Sequence, residues 1–340
     1  MTADMQLLAP FLRGAEEMLE ASRSSLPAER LALIEKLRAR GNDQEELAAE
    51  ARSQRRVSGD DRLIIRASLE FSNACRQKCS FCGMAATNRA LQRYRISPER
   101  VFRIIDAVSA LGLRDLHLAS GEDWGYDVES LSEILRYAVA SQISVTLVVG
   151  HRPLVDYIRW REAGAERYTL KIESSSDLHF SNARTGTRLA TRIAHLLFLR
   201  SLGFKIGTGI ICGLPGQTLS DLAYDLLFFR ELSPDMASVS RFLPNPHSRY
   251  ASAQEGPVDT TLNFLSMLRI ELAHPGLRIP AGTTLGRNQI DALLHGANLI
   301  SLHVTPDDVA DLYSADRIHE RSMTRLSMIK QLSQESGMEM

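Results

Sequence analysis

Four cysteines in 340 residues are too few, and too unevenly placed, to build a disulfide framework. Such frameworks belong to short secreted chains, whereas three of these four thiols, Cys75, Cys79 and Cys82, fall within eight residues. No second Cys-x2-Cys follows them to complete a zinc knuckle. No uninterrupted apolar run approaches the ~20 residues needed to cross a bilayer. A formal net charge of −1 offers no basic surface to nucleic acid or anionic lipid. The N-terminal Met1-Thr-Ala-Asp-Met-Gln6 lacks the positive region and cleavage site of a signal peptide, and a chain so poor in cysteine is expected in the cytoplasm. What remains is an ordinary globular composition, 44% hydrophobic and 24% charged, with core enough to need no staples.

The thiols that are present form Cys75-Arg-Gln-Lys-Cys79-Ser-Phe81-Cys82, directly after the strand-like run 64–71. Thiolates at i, i+4 and i+7 on a loop can converge on one small inorganic object, and three suit an iron–sulfur cube. A 4Fe–4S cluster normally takes four cysteines, so a triplet leaves one iron open to an exchangeable ligand. The Arg and Lys between the thiols argue against a buried structural role. Cys212, the spare thiol, stands in an apolar strand and reads as core.

Residues 5–56 read as helices: Leu7, Leu8, Phe11, Leu12, Ala15, Met18 and Leu19 recur at helical spacing. Pro27 opens a second helix, and Gly41-Asn42-Asp43 separates it from a third. No chemistry is visible there, and the segment reads as a packing cap. From residue 62 strands alternate with amphipathic helices, the sign of a parallel sheet. The expected strands are 63–71, 115–120, 143–149, 167–173, 204–212, 236–243, 277–283 and 298–304. Eight such units match a closed barrel of about 250 residues. Polar, Gly-rich segments after nearly every strand favour the barrel over a doubly wound open sheet, because barrel enzymes place their sites there. The expected fold is therefore α/β, a complete (βα)8 TIM-type barrel at 61–312 behind a helical N-terminal cap at 1–60, with a C-terminal helical tail at 313–340.

The strand ends supply candidate ligands. Ser120-Gly121-Glu122-Asp123 follows the second strand; the glycine lets backbone approach a ligand, and Glu122 can accept from an ammonium. Lys171 and Glu173 share one side of the fourth strand. A buried ion pair is the plain reading, but such pairs gather at sites, and a ligand role is preferred. Arg192, early in the next helix, has the geometry to clamp a carboxylate, although a helix Arg is more often solvated surface. Gly213, in Cys212-Gly-Leu-Pro-Gly-Gln-Thr218, permits an adenine or ribose to lie against backbone. Arg241 leaves the sixth strand as a carboxylate-binding candidate, with the surface reading equally open. Thr283 and Thr284 after the seventh strand, and His303 in the eighth, offer polar groups at the same level. The other histidines, His117 among them, show no ligand spacing and read as structural or surface.

The cysteine spacing with Phe81 before the third thiol resembles the signature of the radical S-adenosylmethionine (SAM) superfamily. Leu69-Glu-Phe-Ser-Asn73, Ser120-Gly-Glu-Asp123, the Gly213–Thr218 run, Ile279-Pro-Ala281 and Gly296-Ala-Asn298 resemble one branch of it, over nearly the whole length. That branch holds biotin synthase, the FeFe-hydrogenase maturase HydE and methylornithine synthase. The resemblance implies a 4Fe–4S cluster on Cys75, Cys79 and Cys82 at the mouth of the barrel. SAM would chelate the open iron and be cleaved reductively to a 5′-deoxyadenosyl radical. Ser120 and Glu122 would lie at the methionyl end of SAM, and Glu173 and Arg192 match the maturase's SAM-site Glu and Arg. Lys171 stands where that enzyme carries an Arg. The extra cysteines of biotin synthase's second cluster are absent, which argues against sulfur insertion. Methylornithine synthase holds its amino acid with an Arg and a Ser-x-Asp; Arg241 matches the first, and Gly282-Thr283-Thr284 replaces the second.

The expected activity is hydrogen abstraction from a small carboxylate-bearing substrate, an amino acid, leading to carbon-skeleton rearrangement. Arg241, Thr283, Thr284 and His303 would position it. The alternatives are a maturase-like enzyme acting on an iron complex, and a cluster-binding scaffold or sensor that does not turn over SAM. The expected partner is a low-potential electron donor such as flavodoxin or ferredoxin, with no nucleic acid and no membrane, and the expected state is a monomer.

Overall fold

The computed structural model describes residues 3–285, 289–313 and 326–340. Helices α1 (Ala3–Arg23), α2 (Pro27–Arg38) and α3 (Asn42–Val57) come first. Pro27 stands in the first turn of α2, where its missing N–H has no helical partner to lose. Strands and helices then alternate: β1 (Ile64–Ser72), α4 (Pro98–Ala110), β2 (Asp115–Ser120), α5 (Val128–Ala140), β3 (Ser144–Val148), α6 (Leu154–Glu162), β4 (Arg167–Thr169), α7 (Asp177–Ala183) and α8 (Leu189–Ser201). After them come β5 (Lys205–Cys212), α9 (Leu219–Leu232), β6 (Met236–Arg241), α10 (Val258–Glu271), α11 (Gln289–Leu294) and β7 (Leu299–His303). The short α12 (Asp307–Ala310) and α13 (Leu326–Ser336) follow. Ser97 and Asp127 cap α4 and α5 through their side-chain oxygens, and Thr218 with Asp221 forms a reciprocal capping box on α9.

The seven strands form one parallel, curled sheet in the order β6-β5-β4-β3-β2-β1-β7. The first and last strands in sequence are thus neighbours, with Ile64 opposite Leu299 and Ser68 opposite His303. Eight strands were expected, and among the described residues the stretch 277–283 makes isolated bridges instead, Arg278 to Met236 and Pro280 to Leu299. Pro280 has no N–H to give to a ladder, and Gly276 and Gly282 bracket it, so a regular strand does not propagate. Hydrogen bonds still run to both sides: the Arg278 carbonyl accepts from Ala237 N at 3.1 Å, and the Ile279 carbonyl from Leu299 N at 3.2 Å. β4 is also shorter than the expected 167–173, with one outlying bridge from Glu173 to Ile210.

Alternation along each strand separates two environments. Ala67, Leu69 and Phe71 of β1, Leu116 and Leu118 of β2, and Ile300 and Leu302 of β7 join the helices in one apolar core. The N-terminal helices thicken that core from outside, α1 packing on α8 and α9, and α3 on α10. The opposite residues meet one another across the strands: Lys171 Nζ lies 3.0 Å from Ser240 Oγ, and His303 Nδ1 lies 3.1 Å from Glu70 Oε1. They line a polar lumen. Its N-terminal end is closed by charge, where Asp115 accepts from Arg278 and lies 3.9 Å from Arg167, and Arg66 donates to Ser301 Oγ at 3.0 Å. Burial lowers Arg66 to about 10, although Asp115 pulls the other way. No described helix is long and apolar enough to cross a membrane.

Arg269 of α10 is wholly buried and ties this shell to the entry of β1. It donates to Asp60 Oδ2 at 2.8 Å and to the carbonyls of Gly296 at 3.0 Å and Leu277 at 3.3 Å. Arg269→Met strips those acceptors of their partner, and urea unfolding is expected to show a loss of roughly 3–5 kcal/mol at an unchanged m-value.

Candidate cluster and cofactor site

The loop after β1 takes its shape from its own backbone and from one arginine. Arg93 Nη1 donates to the carbonyls of Asn73 and Met84, both at 2.8 Å, and Nη2 to those of Ala85 at 2.8 Å and Asn88 at 3.1 Å. Ser80 N and Oγ donate to the Ala183 and Asn182 carbonyls at 2.8 and 2.6 Å, binding the loop to the end of α7. None of the cysteines is in a disulfide, and Cys79 is buried. Glu122 N donates to Cys75 Sγ at 3.3 Å, and Arg184 Nη1 lies 3.5 Å from Cys79 Sγ. Burial pushes the Cys79 thiol up, with Arg184 opposing, and pushes Cys82 up further, with the charge of Cys79 adding to it. Thiols in that setting ionise only against a strong positive partner, which bound iron provides. No set of three His, Cys, Asp or Glu among the described residues suits a single metal ion. A cube makes a different demand, one thiolate on each of three irons, and this donor set fits it.

Gly121 was expected to let a ligand approach. Its bareness is required first by the loop itself: a Cβ there would lie 2.2 Å from the Ala74 carbonyl oxygen and 2.7 Å from Cys75 Cβ. Neighbouring Ser120 turns its hydroxyl onto the Gly121 carbonyl at 2.7 Å. Glu122 is buried, its Oε1 accepting from Gln77 Nε2 at 2.6 Å and its Oε2 from His151 N at 3.0 Å.

Glu173 stands opposite. Its carboxylate Oε1 accepts from Arg184 Nη2 at 2.7 Å and Nε at 3.2 Å, while Oε2 is buried with no hydrogen-bond partner among the described residues. Lys171 Nζ lies 3.8 Å from that oxygen. Burial alone would raise this carboxyl, but Arg184 and then Lys171 outweigh it and hold the group below its ordinary value. Arg192 is buried beside them, donating to the Lys171 carbonyl, and burial together with the charge of Arg184 lowers it to about 10. Phe81 lies under the Arg184 guanidinium, 5.9 Å from ring centre to Cζ. A cavity of about 600 Å³ opens beside these groups, lined by His151, Ser181, Arg184, Thr187, Arg188 and Thr191, and a nucleoside-sized cofactor fits such a volume.

The structure therefore brings Cys75, Cys79, Cys82, Phe81, Glu122, Lys171, Glu173 and Arg192 to one mouth of the sheet. Gly213 lies apart, at φ 92°, where a Cβ would meet Gly256 Cα at 2.3 Å; a backbone crossing accounts for it. Arg241 and Thr284 sit together, Arg241 N donating to Thr284 Oγ1 at 3.0 Å, and both line a second cavity of about 110 Å³ with Phe81, Lys171, Ser240 and Phe242. The Arg241 guanidinium is engaged by Glu255 at 2.6 Å and by the Gly256 carbonyl at 2.5 Å. The Thr283 side chain lies outside the described residues. His303 is elsewhere, on β7 beside Glu70. Sequence reasoning missed Arg184, Gln77 and His151. Arg184 was within reach, as the one Arg in Asn182-Ala-Arg-Thr-Gly186 between Glu173 and the helix of Arg192.

Comparison with known proteins gives a consistent assignment. The family model of the radical SAM superfamily matches residues 69–229. The [FeFe] hydrogenase maturase subunit HydE of Thermotoga maritima is 36% identical over 263 residues, 76% of this chain and 75% of that protein. The 3-methylornithine synthase of Methanosarcina acetivorans is 27% identical over 85% of this chain and 83% of its own. Among solved structures, methylornithine synthase (PylB) superposes with a TM-score of 0.82 over 96% of both chains, at 22% identity.

Glu173 has φ 63°, a left-handed conformation that costs a residue with a Cβ of order 1–3 kcal/mol and persists where the surroundings hold it. The holder is Asp225 of α9, buried beneath the turn: its Oδ1 accepts from Ser175 N at 2.5 Å, Ser175 Oγ at 2.7 Å and Ser174 Oγ at 3.3 Å. Burial pushes this carboxyl from 3.8 up to about 7, against those hydrogen bonds. A carboxyl raised on folding holds its proton more tightly in the native chain, so its stabilising contribution is full below about pH 4 and is lost as pH rises through about 7. Urea melts across that window are expected to show the wild type losing stability and Asp225→Asn losing less. Parallel pH profiles for the two proteins would contradict the assignment.

Proposed function

We propose a radical transformation of a small amino acid, proceeding from the fact that the chain belongs to the radical SAM superfamily, in the branch of HydE, methylornithine synthase and biotin synthase. Members are enzymes that bind a 4Fe–4S cluster and SAM, act on small molecules and need a reductant. Cys75, Cys79 and Cys82 would hold the cluster. When bound, cluster and SAM together supply a 5′-deoxyadenosyl radical for hydrogen abstraction.

The protein's own part is to hold, charge and seal. Glu173 Oε2, kept ionised by Arg184 and Lys171, is an acceptor for an ammonium or hydroxyl of SAM. Arg192, buried beside Arg184 and Glu173, suits its carboxylate. Phe81 stands between the cysteine loop and the 110 Å³ cavity, where the substrate would lie.

That cavity is the observation that carries the substrate class. Lys171 and Arg241 bring two basic side chains to it, Ser240 and Thr284 two hydroxyls, and among the described residues no carboxylate lines it, so it suits a carboxylate-bearing guest. Its volume matches roughly four water molecules, each with a share of about 30 Å³, which fits a small metabolite. The ionic layer of Asp115, Arg278 and Arg66 closes the lumen beneath, keeping water from a reactive centre. Kinship with 3-methylornithine synthase supports carbon-skeleton rearrangement as the outcome. A second reading, a HydE-like maturase acting on an iron complex, is favoured by the higher identity to that protein. In either case we take the bridges at Arg278 and Pro280 as the seventh strand of a closed (βα)8 barrel at 61–312, with 1–60 as its cap and 313–340 as its tail. The electron donor would be flavodoxin or ferredoxin, and the protein a cytoplasmic monomer.

The test is anaerobic: the cluster is reconstituted, reductant and SAM are added, and deuterated amino acids are screened for label in 5′-deoxyadenosine or recovered SAM. One amino acid is expected to pass label, and Cys79→Ala is expected to lose both cluster absorbance and SAM cleavage. Cleavage retained in that variant would refute the cluster assignment. Vigorous cleavage with no label from any amino acid would refute the substrate class and leave the maturase-like reading.

A further inference from the structure

At the closed half of the lumen, three strands set two histidines in one row. Ser68 of β1 is in register with His117 of β2 on one side and with His303 of β7 on the other. All three point inward, since the alternate residues Ala67, Leu69, Leu116, Leu118 and Leu302 belong to the outer core. His303 Nδ1 lies 3.1 Å from Glu70 Oε1, and the other Glu70 oxygen accepts from Thr305 Oγ1. A carboxylate only accepts, so Nδ1 of His303 carries the hydrogen and Nε2 is left as an acceptor. His117 Nδ1 meets Ser68 Oγ at 3.4 Å. Burial, then the charge of Arg66, keep His117 neutral. Among the described residues, Nε2 of both rings is buried without a hydrogen-bond partner. Two such nitrogens facing one lumen are costly unless a ligand satisfies them.

We propose that this row is the floor of the substrate pocket, and that His303 Nε2, positioned by Glu70, accepts an N–H from the nitrogen-bearing end of the substrate. The Glu70 carboxylate behind the ring brings negative charge to this end, which suits an ammonium. Lys171 and Ser240, on the cavity above, suit the carboxylate. The substrate is then an amino acid bound with its ammonium toward β7 and its carboxylate toward β4 and β6. This orientation rests on the proposed amino-acid chemistry. His117 supplies the second, uncharged contact at the same end.

The cluster-loaded protein tests it in two ways. For the amino acid that passes label, His303→Leu is expected to raise KM at least tenfold and to abolish the preference for that amino acid over its des-amino acid. Glu70→Gln is expected to raise KM less. A His303→Leu enzyme with wild-type KM and preference would overturn the proposal. If no amino acid passes label, the 15N resonances of His303 decide independently: a shift with ethylamine and none with propionate supports the N–H site, and no shift with either overturns it.

Discussion

One half-buried guanidinium joins the two halves of the site. Arg184 reaches Cys79 on one side and Glu173 on the other, and both partners are buried. A carboxylate taken from water without a cation is costly enough that it would protonate instead. Arg184 removes that cost for Glu173 and, through the same side chain, offers positive charge to a thiolate. Around this centre three cations, Arg184, Lys171 and Arg192, face the two carboxylates Glu173 and Glu122. The surplus of positive charge stands where, in the function proposed above, an iron–sulfur cube with three thiolates and the carboxylate of SAM would both bring negative charge. Asp225 and the serines of the turn fix the backbone that aims Glu173 at it.

The lumen imposes the second constraint. Strands of parallel sheets are usually apolar on both faces, and the interior of a (βα)8 barrel is ordinarily filled by branched aliphatic side chains. Here that interior holds Ser68, His117, Lys171, Ser240 and His303, so it contributes little apolar burial. The outer shell makes up the difference. Trp160, Phe228, Phe229 and Phe264 are wholly buried between helices and strands, and α1 to α3 add Leu8, Leu19, Leu33 and Leu37 to the same apolar body. A helical segment without visible chemistry thereby supplies core to a sheet whose inner face is given over to polar groups.

Much of this was legible in the sequence where one residue type signals one role. Three thiols in eight residues, a carboxylate after β2, and Lys171 two residues before Glu173 all come from local spacing, and the structure gathers them at one mouth. The seven strands are legible because alternation and turn residues mark them. Three things were not. The stretch 277–283 has a strand's apolar pattern, but Pro280 denies it a ladder, so pattern overstated regularity. Arg184 and Gln77 act through contacts made across the fold, and neither sits at a strand end. The row of His117 and His303 is not visible in the sequence, because the two lie 186 positions apart and meet only through Ser68 in the sheet register.

The position of Arg241 bears on what the pocket selects. From sequence it was the natural anchor for a carboxylate, yet Glu255 and the Gly256 carbonyl engage its guanidinium, and its backbone N–H is given to Thr284. An arginine already paired with a carboxylate exerts less pull on a second one, so its charge reaches the cavity mainly as background. Lys171 differs: among the described residues its ammonium has a neutral hydroxyl at 3.0 Å, while its nearest carboxylate, Glu173, stands at 3.8 Å and is shared with Arg184. The stronger electrostatic demand for an incoming anion therefore lies at Lys171, between the Glu173 carboxylate and the Ser240 hydroxyl. Under the function proposed above, a guest held there would lie between the cysteine mouth and the histidine row, and Lys171 would take a direct part in placing it.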